Sequence, residues 1–245
     1  MNARLAGRTA LVTGSTDGIG VGIAQALAAE GANVVVSGRN AERGAQVVKS
    51  IADKGGQARF VAADLGDGEG ARALAEAAGP VDVLVNNAAL LIMPQPTGEV
   101  AEELVDRALA TNIKAAFLLT GLIAPAMAAR GGGAIVNLGS VNGFNGSAQS
   151  ALYSMTKAAV HSLTKSWAAE YGPGGVRVNT VAPGPTRTPR NAGVMDHIEP
   201  LIARTPSRRM GTPEEVGAAV VFLASDEAAN IHGATLSVDG GLAAV

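Results

Sequence analysis

Seven short apolar runs recur along this chain, and almost every gap between them has the spacing of an amphipathic helix. The runs are Thr9–Val12, Asn33–Ser37, Ala58–Val61, Val81–Val85, Ala134–Leu138, Val176–Val181 and Ala234–Val238. Helical patterning fills the intervals up to Glu30 and over Ala41–Lys54, Asp67–Ala78, Glu99–Ala129 and Ser150–Tyr171, and then from Thr212 to Ala224. Parallel strands cannot be joined by tight turns, so strand–helix alternation predicts a parallel sheet wrapped by its own crossovers. The expected fold is α/β: one doubly wound parallel sheet of about seven strands, with helices on both faces and a single domain over residues 1–245. A chain of this length can bury roughly 70–75% of its extended surface, so its core needs no staples. There is no cysteine, which excludes disulfides, a thiol nucleophile and zinc–thiolate sites.

The first run leads into Thr13-Gly14-Ser15-Thr16-Asp17-Gly18-Ile19-Gly20 and then an alanine-rich helix. Strand, glycine loop and helix make a phosphate cradle: glycine lets the backbone approach a pyrophosphate, and the helix start offers unpaired N–H groups and a positive dipole end. The second run ends in Ser37-Gly38-Arg39-Asn40. A carboxylate there would bond a ribose 2′-hydroxyl, whereas an arginine forks onto a 2′-phosphate. Arg39 with no Asp or Glu beside it favours NADP(H) over NAD(H), and Asp17 pulls slightly the other way.

Further along, Ser140 follows the fifth run, and Tyr153 and Lys157 lie one helical turn apart on one face. A phenol titrates near ~10, and an ammonium beside it lowers that value, so the pair is a candidate general acid/base. The hydroxyl of Ser140 could hold a reacting oxygen. Asn112 sits inside a predicted helix, where an amide is mildly unfavourable. Asp64 reads either as the N-cap of the next helix or as a site residue. His161, His197 and His232 are scattered without ligand spacing, so a metal centre is not expected, and His161 reads as packing on the helix of Lys157. Neither a Gly-x-Ser-x-Gly elbow nor a Gly-Lys-Ser/Thr phosphate loop is present.

Five separately placed motifs, in order and over nearly the whole chain, resemble the short-chain dehydrogenase/reductase family: Thr-Gly-x-x-x-Gly-Ile-Gly at 13–20, Ala63-Asp64-Leu65, Asn86-Asn87-Ala88-Ala89, Ser140 with Tyr153-x-x-x-Lys157, and Pro183-Gly184-x-x-x-Thr188. The resemblance implies a Rossmann-type fold and a dinucleotide held by Gly14, Ser15, Asp17, Gly18, Ile19, Gly20, Arg39, Asp64, Leu65, Asn86, Ala88, Pro183, Gly184, Thr186 and Thr188. Tyr153 and Lys157 would touch it as well. It further implies a catalytic set of Asn112, Ser140, Tyr153 and Lys157, with Asn112 ordering a water behind the lysine. Residues 189–210 take the position of the family's substrate-side lid. Relatives commonly form tetramers through two long helices, here Glu99–Ala129 and Ser150–Tyr171. Ala89 departs from the family's glycine, which raises the question of a left-handed backbone there.

These readings converge on an oxidoreductase moving a hydride between NADP(H) and a ketone or secondary alcohol. In overall pattern the nearest type is the 3-oxoacyl-carrier-protein reductase, although Gly172-Pro173-Gly174-Gly175 offers no basic docking residue. An NAD-dependent dehydrogenase of a sugar or steroid alcohol is the alternative. A non-catalytic dinucleotide-binding regulator or scaffold is the competing reading from another class, and the complete catalytic set argues against it. A net charge of −2 argues against nucleic acid as a partner. The longest uncharged apolar run, Ala115–Ala129, contains Gly121 and Pro125 and is short for a membrane span. The expectation is a soluble, cytoplasmic protein with a small-molecule partner, no membrane and a homotetrameric state.

Overall fold

The structure is a computed structural model that describes residues 3–189 and 195–245. Seven strands, β1 (Thr9–Val12), β2 (Asn33–Gly38), β3 (Gln57–Ala62), β4 (Val83–Asn86), β5 (Gly133–Leu138), β6 (Val176–Pro183) and β7 (Thr235–Val238), form one sheet in the order β3-β2-β1-β4-β5-β6-β7. Every pairing is parallel, as the alternation requires. The helices are α1 (Ile19–Ala29), α2 (Ala41–Ala52), α3 (Gly68–Ala78), α4 (Glu102–Leu109), α5 (Ala115–Ala129), α6 (Ala151–Tyr171), α7 (Met195–Arg204) and α8 (Pro213–Ala224).

The two-residue period of the strands divides the core. Ala10, Val12, Val34, Val36, Val83, Val85 and Val136 face α1, α2 and α8, whereas Leu11, Val35, Leu84 and Ile135 face α3, α5 and α6. Both faces are therefore apolar, which is why the strands read as unbroken hydrophobic runs.

Three local expectations change. The long helix begins at Glu102 rather than Glu99, and a π-helical turn at Ala110–Lys114 interrupts its α-helical course, which runs on through Pro125. Pro125 has no N–H for the carbonyl of Gly121, and both residues are exposed, so water can serve that carbonyl. The π-turn forms where buried Asn112 engages the loop after β4, accepting from Leu90 N–H (2.7 Å) and donating to Leu90 O and Thr156 Oγ1 (3.3 Å each). As a result Glu102–Ala129 is one helical stretch of 28 residues, long and apolar enough by length and composition to cross a membrane. Its apolar character has a packing cause: Ala115, Leu119, Ile123, Ala124 and Met127 are buried with Leu84 and Ile135 of the sheet.

The second change concerns α3, whose N-cap is Asp67, accepting from Gly70 N–H at 2.9 Å. Asp64 instead folds back onto Gly66 N–H. Thirdly, the segment 189–210, for which residue order gives no helical reading, contains a helix, α7. Ile198, Leu201 and Ile202 supply its half-buried stripe. Residues 190–194 of that segment, and the side chain of His197, lie outside the described residues.

Helices α1 and α8 pack closely enough to need glycine on both sides. A Cβ on Gly22 would lie 2.6–2.7 Å from Pro213, and one on Gly217 would lie 2.9 Å from Gly22 O. Alanine suits a helix better than glycine by about 1 kcal/mol. Even so, Gly22→Ala should lower stability by about 1–3 kcal/mol, because overpacking outweighs propensity. Urea denaturation reads this directly, and an unchanged midpoint would mean that the helices separate at no cost.

Candidate active site

The sheet order reverses between β1 and β4, so the loops leaving their carboxyl ends diverge and open a crevice. A cavity of about 870 Å³ runs along this edge. It is walled by the glycine loop after β1, the ends of β2, β4, β5 and β6, and one face of α6.

The glycine loop is held by hydrogen bonds that the motif alone does not reveal. Ser15 is buried and turns inward, donating to Val12 O (2.7 Å) and accepting from Ser37 N–H (3.0 Å), so its neighbour Thr16 lines the cavity in its place. Gly14 (φ 63°) and Gly18 (φ 55°) adopt left-handed backbones. A Cβ on Gly14 would meet Ala88 Cα at 2.8 Å. Unlike α2, α3 and α8, which are capped by Asn40, Asp67 and Thr212, helix α1 starts at Gly18 with no side-chain cap. Its first N–H groups therefore have no side-chain acceptor where they face the cavity.

Two assignments move after β4. Asn86 does not line the cavity: its amide donates to Thr120 Oγ1 (3.2 Å) and Asn137 Oδ1 (2.9 Å) beneath the sheet edge. Asn87, which the sequence reading passed over, donates to Thr13 O (2.8 Å) and Gly14 O (3.0 Å) and ties β4 to the glycine loop. Ala88 and Ala89 both line the cavity. Ala89 is not among the left-handed residues, so its methyl brings no backbone strain.

At the β2 end the wall comprises Arg39, Asn40 and Arg43, with Asp17 and Ile19 from the glycine loop and Asp64 and Leu65 after β3. Arg43, in the first turn of α2, pairs with Asp17 at 3.2 Å. At the opposite end stand Ser140, Tyr153, Lys157, Pro183, Gly184, Thr186 and Thr188. Thr188 packs over the glycine loop, with its methyl 3.6 Å from the place of a Cβ on Gly18. The side chain of Asn112 is engaged with Leu90 and Thr156 and does not line the cavity, whereas its neighbour Thr111 does.

Lys157 is buried, donates to Leu138 O at 2.8 Å, and has its Nζ 5.6 Å from the centre of the Tyr153 ring. Burial pushes the lysine down to about 8. Burial also raises the Tyr153 phenol above its ordinary value, and a hydrogen bond with Ser140 partly offsets that rise. The expectation that the ammonium would lower the tyrosine does not hold for the protein alone: desolvation of the half-buried phenol dominates, and Lys157 stands over the ring rather than against the oxygen.

Comparison with known proteins accounts for this assembly. Residues 14–243 match the family model described as enoyl-(acyl carrier protein) reductase. The cis-4-hydroxycyclohexanecarboxylate dehydrogenase of Sinomonas cyclohexanicum is 40% identical, with all of both chains covered. A solved short chain dehydrogenase/reductase family protein is 46% identical with a TM-score of 0.92, covering 99% of this chain and 100% of that one. A candidate NAD(P)-dependent gluconate 5-dehydrogenase from Beutenbergia cavernae, solved with NADP at low occupancy, is 43% identical with a TM-score of 0.94 and full coverage of both chains. With its fold, its cavity and these relatives in agreement, the chain belongs to the short-chain dehydrogenase/reductase family, oxidoreductases that bind a nicotinamide dinucleotide and act on alcohols and ketones.

Proposed function

We propose that this protein is an NADP(H)-dependent ketone reductase or secondary-alcohol dehydrogenase in which Tyr153 is the general acid/base. The observation that carries the reading is the meeting of Ser140, Tyr153 and Lys157 at one end of a cavity whose other end is a glycine cradle and an uncapped helix start. The residues fit a dinucleotide. Gly14, Gly18, Ile19 and Gly20 give its pyrophosphate backbone N–H groups, and Asp64 and Leu65 border the adenine. Ala88, Pro183, Gly184, Thr186 and Thr188 flank the nicotinamide half. When bound, the nicotinamide supplies or accepts the hydride.

The protein's own groups manage the proton and the oxygen. Ser140 Oγ and the Tyr153 phenol hold the substrate oxygen between them. A phenol is protonated at neutral pH and burial reinforces that state, which suits donation to a carbonyl oxygen that gains negative charge. Lys157, reaching past the ring, is positioned for ribose hydroxyls and stabilises the phenolate left after proton transfer. Asn112 keeps the π-turn behind the lysine in register through Leu90 and Thr156, and contact with a relay water would come from its backbone rather than its amide.

NADP(H) is supported by Arg39 in the cavity wall with Arg43 beside it. Asp17 favours the second reading, NAD(H) with a sugar or steroid alcohol, because it already holds Arg43. That pair is half exposed and is worth about 0–1 kcal/mol, less than a charge-assisted fork onto a phosphate. The substrate is a small carbonyl compound or alcohol admitted beside Leu90 and Leu91, with α7 and the chain to Met210 as the described part of its lid. A parallel bridge between Thr186 and Gly211 closes the base of that lid. Phe117, Leu122 and Met155 expose apolar surface on α5 and α6, which supports a homotetramer joined through those helices.

Tyr153→Phe should fold, keep its dinucleotide affinity within about threefold and lose roughly 10²–10⁴ in turnover; wild-type-like turnover over a carbonyl panel would sink the mechanism. Arg39→Ala should raise KM for NADPH at least tenfold and leave KM for NADH nearly unchanged; equal effects on both would transfer the cofactor assignment to NAD(H). Lys157 also predicts a pH signature. Its folded value of about 8 lies below the unfolded ~10.5, so the folded state binds fewer protons between them. Stability should rise with pH across that window, towards a total of roughly 3 kcal/mol relative to Lys157→Met, and parallel pH profiles of the two proteins would refute the buried ammonium.

A further inference from the structure

His161 is a buried titratable side chain that the mechanism leaves unused, and its surroundings show that it is held in place for one contact. Only 6% of it is exposed. Gly139 and Gly143 press against the imidazole so closely that a Cβ on either would run into the ring. Phe144 covers it from the loop side, with ring centroids 4.5 Å apart and tilted by 42°.

The ladder between β5 and β6 ends one residue before Ser140, where Gly139 N–H reaches Val181 O at 2.8 Å. The next N–H, that of Ser140, is buried, and it points at His161 Nε2, 3.5 Å away. An Nε2 that accepts requires a neutral ring with its proton on Nδ1. Burial, Lys157 and Lys165 push the imidazole down to about 4, so the ring stays neutral at working pH. Nδ1 has no partner among the described residues. A leucine would fill this space without burying an unpaired N–H, so the return for the imidazole lies at Nε2.

We propose that His161 is a positioning residue for Ser140: by accepting the Ser140 backbone N–H it sets the extended backbone from which Oγ reaches the Tyr153 phenol. The same serine oxygen accepts Asn142 N–H at 3.2 Å, so Ser140 is gripped from both sides, by the imidazole at its own N–H and by the turn that follows at its oxygen. Loss of the histidine grip lets the 141–150 loop relax and carries Oγ away from the tyrosine. Misplacement by about 1 Å at a reacting centre costs up to ~10² in rate. The inference rests on the proposed roles of Ser140 and Tyr153.

The test is a double-mutant cycle with two readouts. The chain has two tyrosines, so Tyr171→Phe leaves Tyr153 as the single tyrosine for ring-labelled NMR. In that background, His161→Leu and Ser140→Ala should shift the Tyr153 Cζ resonance in the same direction. Steady-state reduction of the best carbonyl from the panel should lose about 10–100-fold in kcat with His161→Leu, with dinucleotide Kd within about threefold. His161→Gln, which returns an acceptor near the place of Nε2, should recover part of both signals and serves if the leucine variant fails to fold. Added to Ser140→Ala, His161→Leu should change neither signal further. Independent, additive effects, or a change in thermal stability alone, would overturn the proposal. If Ser140→Ala itself moves neither turnover nor the resonance, the assignment of Ser140 fails, and this inference fails with it.

Discussion

Backbone contact between the loops that leave β1 and β4 is the constraint on which the rest of the molecule depends. The chain after β1 must pass within van der Waals contact of the chain after β4, and only glycine at position 14 permits it. Gly20 is equally confined, with Gly14 O and the Asn87 amide where its Cβ would stand. Thr13 Oγ1 receives the N–H groups of Asn87 and Ala88 at 3.0 Å each, and Asn87 returns two bonds to the glycine loop. The start of α1 is thereby aimed into the crevice, and the packing of α1 on α8 keeps it there.

The catalytic end depends on a different device. A chain of buried polar side chains runs from Asn86 to Asn137 (2.9 Å), on to Thr164 (2.8 Å) and then to Thr180 (2.7 Å), linking β4, β5, α6 and β6. Inside a low-dielectric core such a chain is directional, whereas apolar packing tolerates sliding. It pins α6 along its axis, and with it the rise at which Tyr153 and Lys157 meet the cavity. The lysine is then anchored to Leu138 O at the end of β5, two residues before Ser140.

Much of this was legible from residue order. Strand–helix alternation foretold the parallel sheet, and the capping box at Thr212 and Glu215 appeared where Thr-Pro-Glu-Glu marks it. Side-chain direction was not legible. Ser15 and Asn86 belong to cofactor motifs and yet face inward, because the nearest unsatisfied groups, Val12 O and Ser37 N–H for one and Asn137 and Thr120 for the other, lie beneath the cavity wall. Asn112 drew notice as an amide in a helix, but its partner, the backbone of Leu90, lies 22 residues away. The helix at Met195–Arg204 is not legible in residue order because Pro200 lies inside it and its apolar stripe is short.

Residue order alone therefore settles what is periodic and local: strand and helix, the two apolar faces of the sheet, the glycines where the chain must turn, and the turn of helix that separates Tyr153 from Lys157. Tertiary structure decides whatever depends on burial and on a partner distant in the chain. It raises the phenol and lowers the lysine, because desolvation is a property of the assembled core. It also turns Asn87, rather than Asn86, onto the glycine loop, and sets His161 against the Ser140 N–H, because a hydrogen bond needs both ends in place and the chain reveals only one at a time.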